Sequence, residues 1–181
     1  DAGGGLVLVG GGYQGLGFIP TAVENYVGPN VSIFADAVTG GNGGRTIFWA
    51  DRRTEFFGTI KARGGRLFGD GGFAEVSGKE ELYFVGSVDT TAPNGKSGTL
   101  LLDPDYITVS GGSGTASASG ASSFTTYEDI LESVASTTNI EMIATNSITF
   151  NNSLSFAQTA GQSVTFTATN GNISVTDSSD T

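Results

Sequence analysis

Few residues in this chain are equipped for chemistry, and nearly all of them are carboxylates. Histidine and cysteine are both absent from its 181 residues. That removes the commonest general base, the commonest transition-metal ligand, and every thiol nucleophile or disulfide. Among the acids, Asp103 and Asp105 flank Pro104, and Glu80 sits beside Glu81. Hydrolysis of a glycosidic bond needs two carboxyl groups aimed at one bond, and the spacing implies no such pair. Asp103-Pro104-Asp105 reads as a turn. Glu80-Glu81 reads as half of a charge ladder with Arg52-Arg53. No Gly-x-Ser-x-Gly elbow is present. The glycine-rich stretches Gly40–Arg45 and Gly69–Phe73 lack the Gly-x-Gly-x-Asp spacing and nine-residue recurrence of calcium-binding repeats, so they read as turns. The expectation is no catalytic residue, no metal site and no cofactor. Trp49, the one tryptophan, is the candidate ligand or partner contact, with Ile47 beside it. Either it is an exposed aromatic platform for a glycan or partner chain, or residues 13–30 cover it.

The elements that must carry these residues are written as a repeat. Residues 44–63 and 72–91 match at an offset of 28, placing Phe48 on Val76, Phe56 on Phe84, Gly58 on Gly86 and Ile60 on Val88. Charges complement one another in this register: Asp51 with Lys79, Arg52 with Glu80, Arg53 with Glu81, Lys61 with Asp89. Gly98–Asp103 repeats the Gly72 segment at 26, Ile33–Asp36 precedes Ile60–Arg63 by 27 and pairs Asp36 with Arg63, and Ile140–Asn146 is echoed by Val164–Asn170 at 24. Stacked units of this length cannot each bury an apolar face alone. Strand-and-turn units of about 24–28 residues in parallel register predict a β-solenoid, with neighbouring strands ~4.8 Å apart. Exposed ion pairs add only ~0.2–1 kcal/mol each, so here they speak for register.

Composition agrees. Hydrophobic residues make up 38%, enough for a core, and 29 glycines stand against four prolines. Net charge is −10, unevenly spread: residues 1–96 carry ten acids and eight bases, net −2, and residues 97–181 carry eight acids and no base, net −8. A nucleic-acid footprint needs a basic face, so none is expected. No signal peptide and no apolar run long enough to span a bilayer is visible. Asp1 already stands inside repeat-like sequence, so the chain reads as a piece of a longer polypeptide.

Along the chain, strands are predicted near 6–9, 31–36, 45–51, 53–63, 73–78, 81–90, 98–103 and 106–109, with 13–30 as a loop or insert. Alternation puts Thr46, Phe48 and Ala50 inside, and Ile47, Trp49 and Asp51 outside. Residues 110–125 form a Gly/Ser-rich loop of low complexity. A short helix follows over 126–135, capped by Thr126, with Ile130, Leu131 and Val134 as its stripe. Strands resume near 139–145, 147–150, 153–156, 163–169 and 172–176. One continuous unit is expected: repeats over 1–109, the loop over 110–125, and helix plus further repeats over 126–181.

Several of these words occur together elsewhere. Gly-Gly-Gly-Tyr-Gln-Gly (10–15), Asn-Gly-Gly-Arg-Thr-Ile-Phe-Trp-Ala-Asp (42–51), Ala-Arg-Gly-Gly (62–65), Gly-Gly-Phe-Ala-Glu-Val-Ser-Gly-Lys (71–79) and Gly-Thr-Leu-Leu-Leu-Asp-Pro (98–104) stand in order. They resemble the filamentous-haemagglutinin-like exoproteins of Gram-negative bacteria and cyanobacteria, closely over 3–109 and more loosely over 126–176. Gly12 stands where that family often has Asp, and the family's N-terminal secretion module is not recognisable. The resemblance implies an all-β fold, a right-handed parallel β-helix. It also implies two-partner secretion through an outer-membrane partner transporter, and display at the cell surface or beyond. The function expected is structural or adhesive and non-catalytic, toward host or neighbour-cell glycans or proteins, with lateral or end-to-end self-association open. Alternatives are a carbohydrate-binding or carbohydrate-active module on the same scaffold, and a subunit of an extracellular filament or surface layer. Fold alone does not choose among these.

Overall fold

Short runs of β-branched and aromatic residues alternate with Thr, Ser and charged residues between glycine corners, a pattern that suits half-buried strands. The computed structural model describes residues 3–114, 123–151 and 161–176. The first strands are β1 (Leu6–Val9), β2 (Ala22–Val27), β3 (Ser32–Phe34), β4 (Arg45–Phe56) and β5 (Thr59–Lys61). β6 (Phe73–Gly78), β7 (Glu81–Phe84), β8 (Ser87–Asp89), β9 (Thr99–Leu102), β10 (Tyr106–Ser110) and β11 (Ser123–Tyr127) follow. Helix α1 (Glu128–Ala135) precedes β12 (Asn139–Ala144), β13 (Ser147–Asn151), β14 (Val164–Ala168) and β15 (Ile173–Thr176). A 3₁₀ turn, Tyr13–Gly15, lies between β1 and β2.

Every strand pair among the described residues is parallel. One sheet runs β1-β4-β6-β9-β12-β14, with β2 and β7 also on β4; a second runs β11-β10-β13-β15; a third runs β3-β5-β8. The register follows the repeat. Phe48 faces Val76 and Phe56 faces Phe84, both 28 positions on. Ala74 faces Leu100 at 26, Ile33 faces Ile60 at 27, and Ile140 faces Val164 at 24. Phe48, Val76, Phe84, Leu100, Leu102 and Met142 are buried in one continuous core, and the Phe56 and Phe84 rings stack at 6.0 Å. At the corners, side chains of one repeat hold the backbone of the next. Asn42 Oδ1 accepts from the Asp70 amide at 2.8 Å, Asp70 Oδ1 from the Lys96 amide at 2.8 Å, and Asn139 Oδ1 from the Ser163 amide at 2.9 Å. Glycine is required where backbones touch: a Cβ on Gly72 would stand 2.1 Å from the Gly44 carbonyl oxygen.

Several expectations change. β4 is one strand of twelve residues, without the break at Arg52, because β1 and β6 flank its first half while β2 and β7 flank its second. β2 lies inside the stretch read as a loop; its Val27 joins the core. β11 begins inside the Gly/Ser-rich stretch and runs two residues past it, paired with β10 on the side away from β13. The helix begins two residues later than its predicted cap: Thr126 is buried in β11, and Tyr127 occupies the cap position without a side-chain hydrogen bond. Arg53 meets Glu81 at 3.8 Å and Asp36 meets Arg63 at 2.8 Å, as expected. Arg52 pairs with Glu24 on β2 instead of Glu80, since the neighbour on that side is closer. Lys61 is in register with Asp89, but Arg63 is the cation within 4.0 Å of it. The strand expected at 153–156 and residues 115–122 of the 110–125 loop lie outside the described residues.

The repeat between β9 and β12 is longer, Thr99 facing Asn139 at 40 positions. The added length holds β11 and α1. Leu131 and Val134 enter the core, and the helix packs beside β8, β11 and β12. The chain then returns through two threonines. Thr137 and Thr138 hydroxyls donate to the Val88 carbonyl at 2.9 and 3.1 Å, and Thr138 accepts from the Thr90 amide at 3.2 Å. α1 thus continues beneath β8 where the third sheet ends.

Candidate functional site

On the outward face of the first sheet, register builds rows across successive strands. Arg45 faces Phe73, Ile47 faces Glu75 and then Leu101, and Trp49 faces Ser77. Glu141 follows Leu101. Such positions normally meet water. Here Ile47, Trp49, Glu75, Ser77 and Leu101 are all buried, because residues 10–21 fold back across them. Gly11 and Gly15, both with positive φ, lie flat on the indole, and a Cβ on Gly15 would stand 2.5 Å from its Cε2. The Trp49 Nε1–H donates to Asp51 at 3.2 Å, and Asp51 also accepts from the Thr21 hydroxyl. The exposed-platform expectation is therefore corrected: Trp49 is 6% exposed and Ile47 2%. Gly11 and Gly15, on either side of Tyr13, are what cover the indole.

The fastening is Gln14. Its amide donates to both carboxylate oxygens of Glu75, at 3.0 and 3.2 Å, and its side-chain Nε2 donates to Asp103 at 2.7 Å. Next to it Tyr13 packs edge-on to Phe73 at 5.8 Å, and the Arg45 guanidinium lies 4.7 Å from the Tyr13 ring and 4.6 Å from Phe73. Gln14 itself sits at φ 52, the left-handed region that a non-glycine residue rarely adopts.

These contacts bring together two carboxyl groups that are 28 positions apart in the chain. Burial pushes the Glu75 carboxyl up to about 7, and the Asp103 charge adds to this; the Gln14 amide and Arg45 pull the other way. Asp103 is also raised, by burial first and by Asp105 second, against the Gln14 hydrogen bond. Desolvation outweighs hydrogen bonding in both. The sequence reading expected no two carboxyl groups aimed at one bond; Glu75 and Asp103 share Gln14, a proximity it did not foresee. The missed signal was register: Glu75 is outward on β6, and Asp103 follows β9 one repeat later. A cavity of about 440 Å³ opens alongside, lined by Leu16, Trp49, Asp51, Lys79, Asp103 and Asp105 among others.

Chemically, both carboxyl groups are turned to Gln14, from which they accept hydrogen bonds, and not to a substrate. Glu75 has no exposed surface. Among the described residues no three His, Cys, Asp or Glu side chains are grouped to hold a metal ion. Neither a protein-family model nor a curated protein matches the sequence. The arrangement therefore has to be interpreted from its own geometry.

Proposed function

We propose that this chain is a segment of a right-handed parallel β-helix from a large secreted bacterial surface exoprotein of the filamentous-haemagglutinin-like kind, structural or adhesive in role. The observation that carries the reading is the parallel ladder. Side chains one repeat apart share a face through β1, β4, β6, β9, β12 and β14, at successive offsets of 39, 28, 26, 40 and 24 positions, with one core running beneath them. The motifs at 42–51, 71–79 and 98–104 supply β4, β6 and β9 with core residues such as Phe48, Val76 and Leu100. No described helix is long and apolar enough to cross a membrane. A shaft of this kind presents long strand faces rich in Thr and Ser, suited to contact with glycans or proteins of a neighbouring surface, and in this reading it is carried outward by an outer-membrane partner transporter. The clustered acids and net charge of −10 leave no face for nucleic acid.

The test is cellular. Antibody raised against this chain should label intact cells or their medium, and the label should vanish when the partner transporter is deleted. Labelling only after lysis would overturn the reading. A second reading, a carbohydrate-active module, draws on the Glu75–Asp103 pair. Incubation with acidic and neutral glycans should release neither reducing ends nor unsaturated uronates. Release abolished by Glu75→Gln or Asp103→Asn would favour the enzyme instead.

A further inference from the structure

We propose that Asn170-Gly171, at the corner between β14 and β15, is a site of self-modification: Asn170 converts without an enzyme to aspartate and isoaspartate, and the product loosens β15. The reaction needs only these two residues and water. The Gly171 backbone nitrogen, having given up its proton, attacks the carbonyl carbon of the Asn170 side chain. A C–N bond forms, the bond from that carbon to the side-chain nitrogen breaks, and ammonia leaves with the proton. The five-membered succinimide ring then takes up water at either carbonyl, giving aspartate or the isoaspartyl linkage. Nothing is oxidised or reduced. Glycine favours the step because no side chain shields its nitrogen and its backbone turns freely.

The chain holds three Asn-Gly dipeptides, at 42–43, 94–95 and 170–171. All three asparagines are exposed, so restraint and not access separates them. Asn42 is held at both reacting groups. Its Oδ1 accepts from the Asp70 amide at 2.8 Å, and the Gly43 amide donates to the Asp70 carbonyl at 2.8 Å. Asn94 donates from Nδ2 to the Arg66 carbonyl at 2.8 Å, and the Gly95 amide donates to the Ala92 carbonyl at 3.4 Å. The tie at Asn170 leaves the reacting groups alone: its backbone amide donates to the Thr145 carbonyl at 2.9 Å. Among the described residues, neither its side chain nor the Gly171 amide makes a hydrogen bond. The corner nonetheless demands glycine. A Cβ on Gly171 would stand 1.8 Å from the Asn146 carbonyl oxygen. Close stacking on the preceding repeat thus puts glycine after Asn170, and the same glycine leaves the asparagine open to attack.

The product acts on β15. Either outcome adds a negative charge to residues 97–181, which carry eight acids and no base. The isoaspartyl linkage also lengthens the main chain by a carbon at the corner. Just beyond it the Asn172 carbonyl accepts from the Ile148 amide at 3.1 Å, the first bond of a ladder in which Ile173 faces Ile148. That ladder is the one described pairing of β15, whose four residues are all exposed, so a longer corner has little to hold it in register.

The experiment ages the whole chain in mildly alkaline buffer, with and without urea. Each Asn-Gly site is followed by peptide mass spectrometry and by labelling with an isoaspartyl methyltransferase. In the folded chain, conversion at Asn170 should run at least about tenfold ahead of Asn42 and Asn94, because a restrained corner reacts only from its opened fraction. In urea the three rates should converge. Asn170→Gln, whose longer side chain needs a six-membered ring, should remove the early product. Amide exchange at β15 should quicken in the aged parent and not in aged Asn170→Gln. Equal rates in the folded chain would overturn the proposal. So would earlier conversion at Asn42 or Asn94, or a lead for Asn170 that persists in urea. Unchanged exchange at β15 in chains carrying isoaspartate at 170 would overturn its structural half.

Discussion

Glu75 shows how a single side chain can be outward by register and still buried. Alternation along β6 sends it away from the core, and the 10–21 segment then seals it. Its folded value of about 7 stands above the free value of 4.5. For an acid raised in this way, the folded state binds the proton more tightly. The stability it contributes is complete below 4.5 and is lost as pH rises to 7, up to about 3 kcal/mol. Urea melts at pH 5 and pH 8 should show that loss in the unmodified chain, with a much smaller difference in Glu75→Gln. Equal pH dependence in the two proteins would assign it to other groups. Gly15 gives a steric counterpart. Gly15→Ala places a methyl carbon 2.5 Å from the indole at φ +68, so the cover must lift. Trp49 emission should shift to the red in that variant, and an unchanged spectrum would show that the cover yields without uncovering the ring.

At the scale of elements, β7 and the return after α1 carry separate loads. Phe84 is fully buried and stacked on Phe56. Phe84→Ala should cost ~3–5 kcal/mol in denaturant melts, as transfer and cavity terms add. A loss under ~1 kcal/mol would show that the row is not packed. Thr138 is a polar group with no exposed surface, and it satisfies the Val88 carbonyl and the Thr90 amide at once. Thr138→Val keeps the shape but takes the hydroxyl away and leaves the Thr90 amide without that acceptor, so it should cost about 1–3 kcal/mol. If the variant were as stable as the parent, the joint between α1 and β8 would be held by Leu131, Val134 and the Thr137–Val88 hydrogen bond.

For the whole molecule, parallel stacking predicts graded protection. β4, β6 and β9 have partners on both sides, whereas β1, β14 and β15 have one described partner each. Amide exchange should be slowest in the first group and fastest in β15, all four of whose residues are exposed. This follows from nearest-neighbour coupling between repeats. Uniform protection along the chain would mean that the stack opens only as one unit. The same geometry carries charge from layer to layer: Arg53 lies against Glu81, and Asp36 against Arg63.

The sequence by itself determined the repeat, its parallel register and the rows of the core. Phe48 over Val76, Ile60 over Val88 and Ile140 over Val164 were legible because a strand's side-chain period is two and parallel partners lie one repeat apart. The order of most strands and the helix near 128 followed from the same local signals. Only the tertiary structure decided what covers what. β2 was hidden because its pairing with β4 depends on a strand 28 to 29 positions later, not on any alternation within 13–30. Trp49 became buried under Gly11 and Gly15, and Glu75 and Asp103 came to share Gln14, because a glycine-rich turn folds back over the strands. Such a contact has no periodicity to reveal it. It depends on how a non-repeating segment folds over repeating ones, and that is settled by space, charge and desolvation in the assembled molecule.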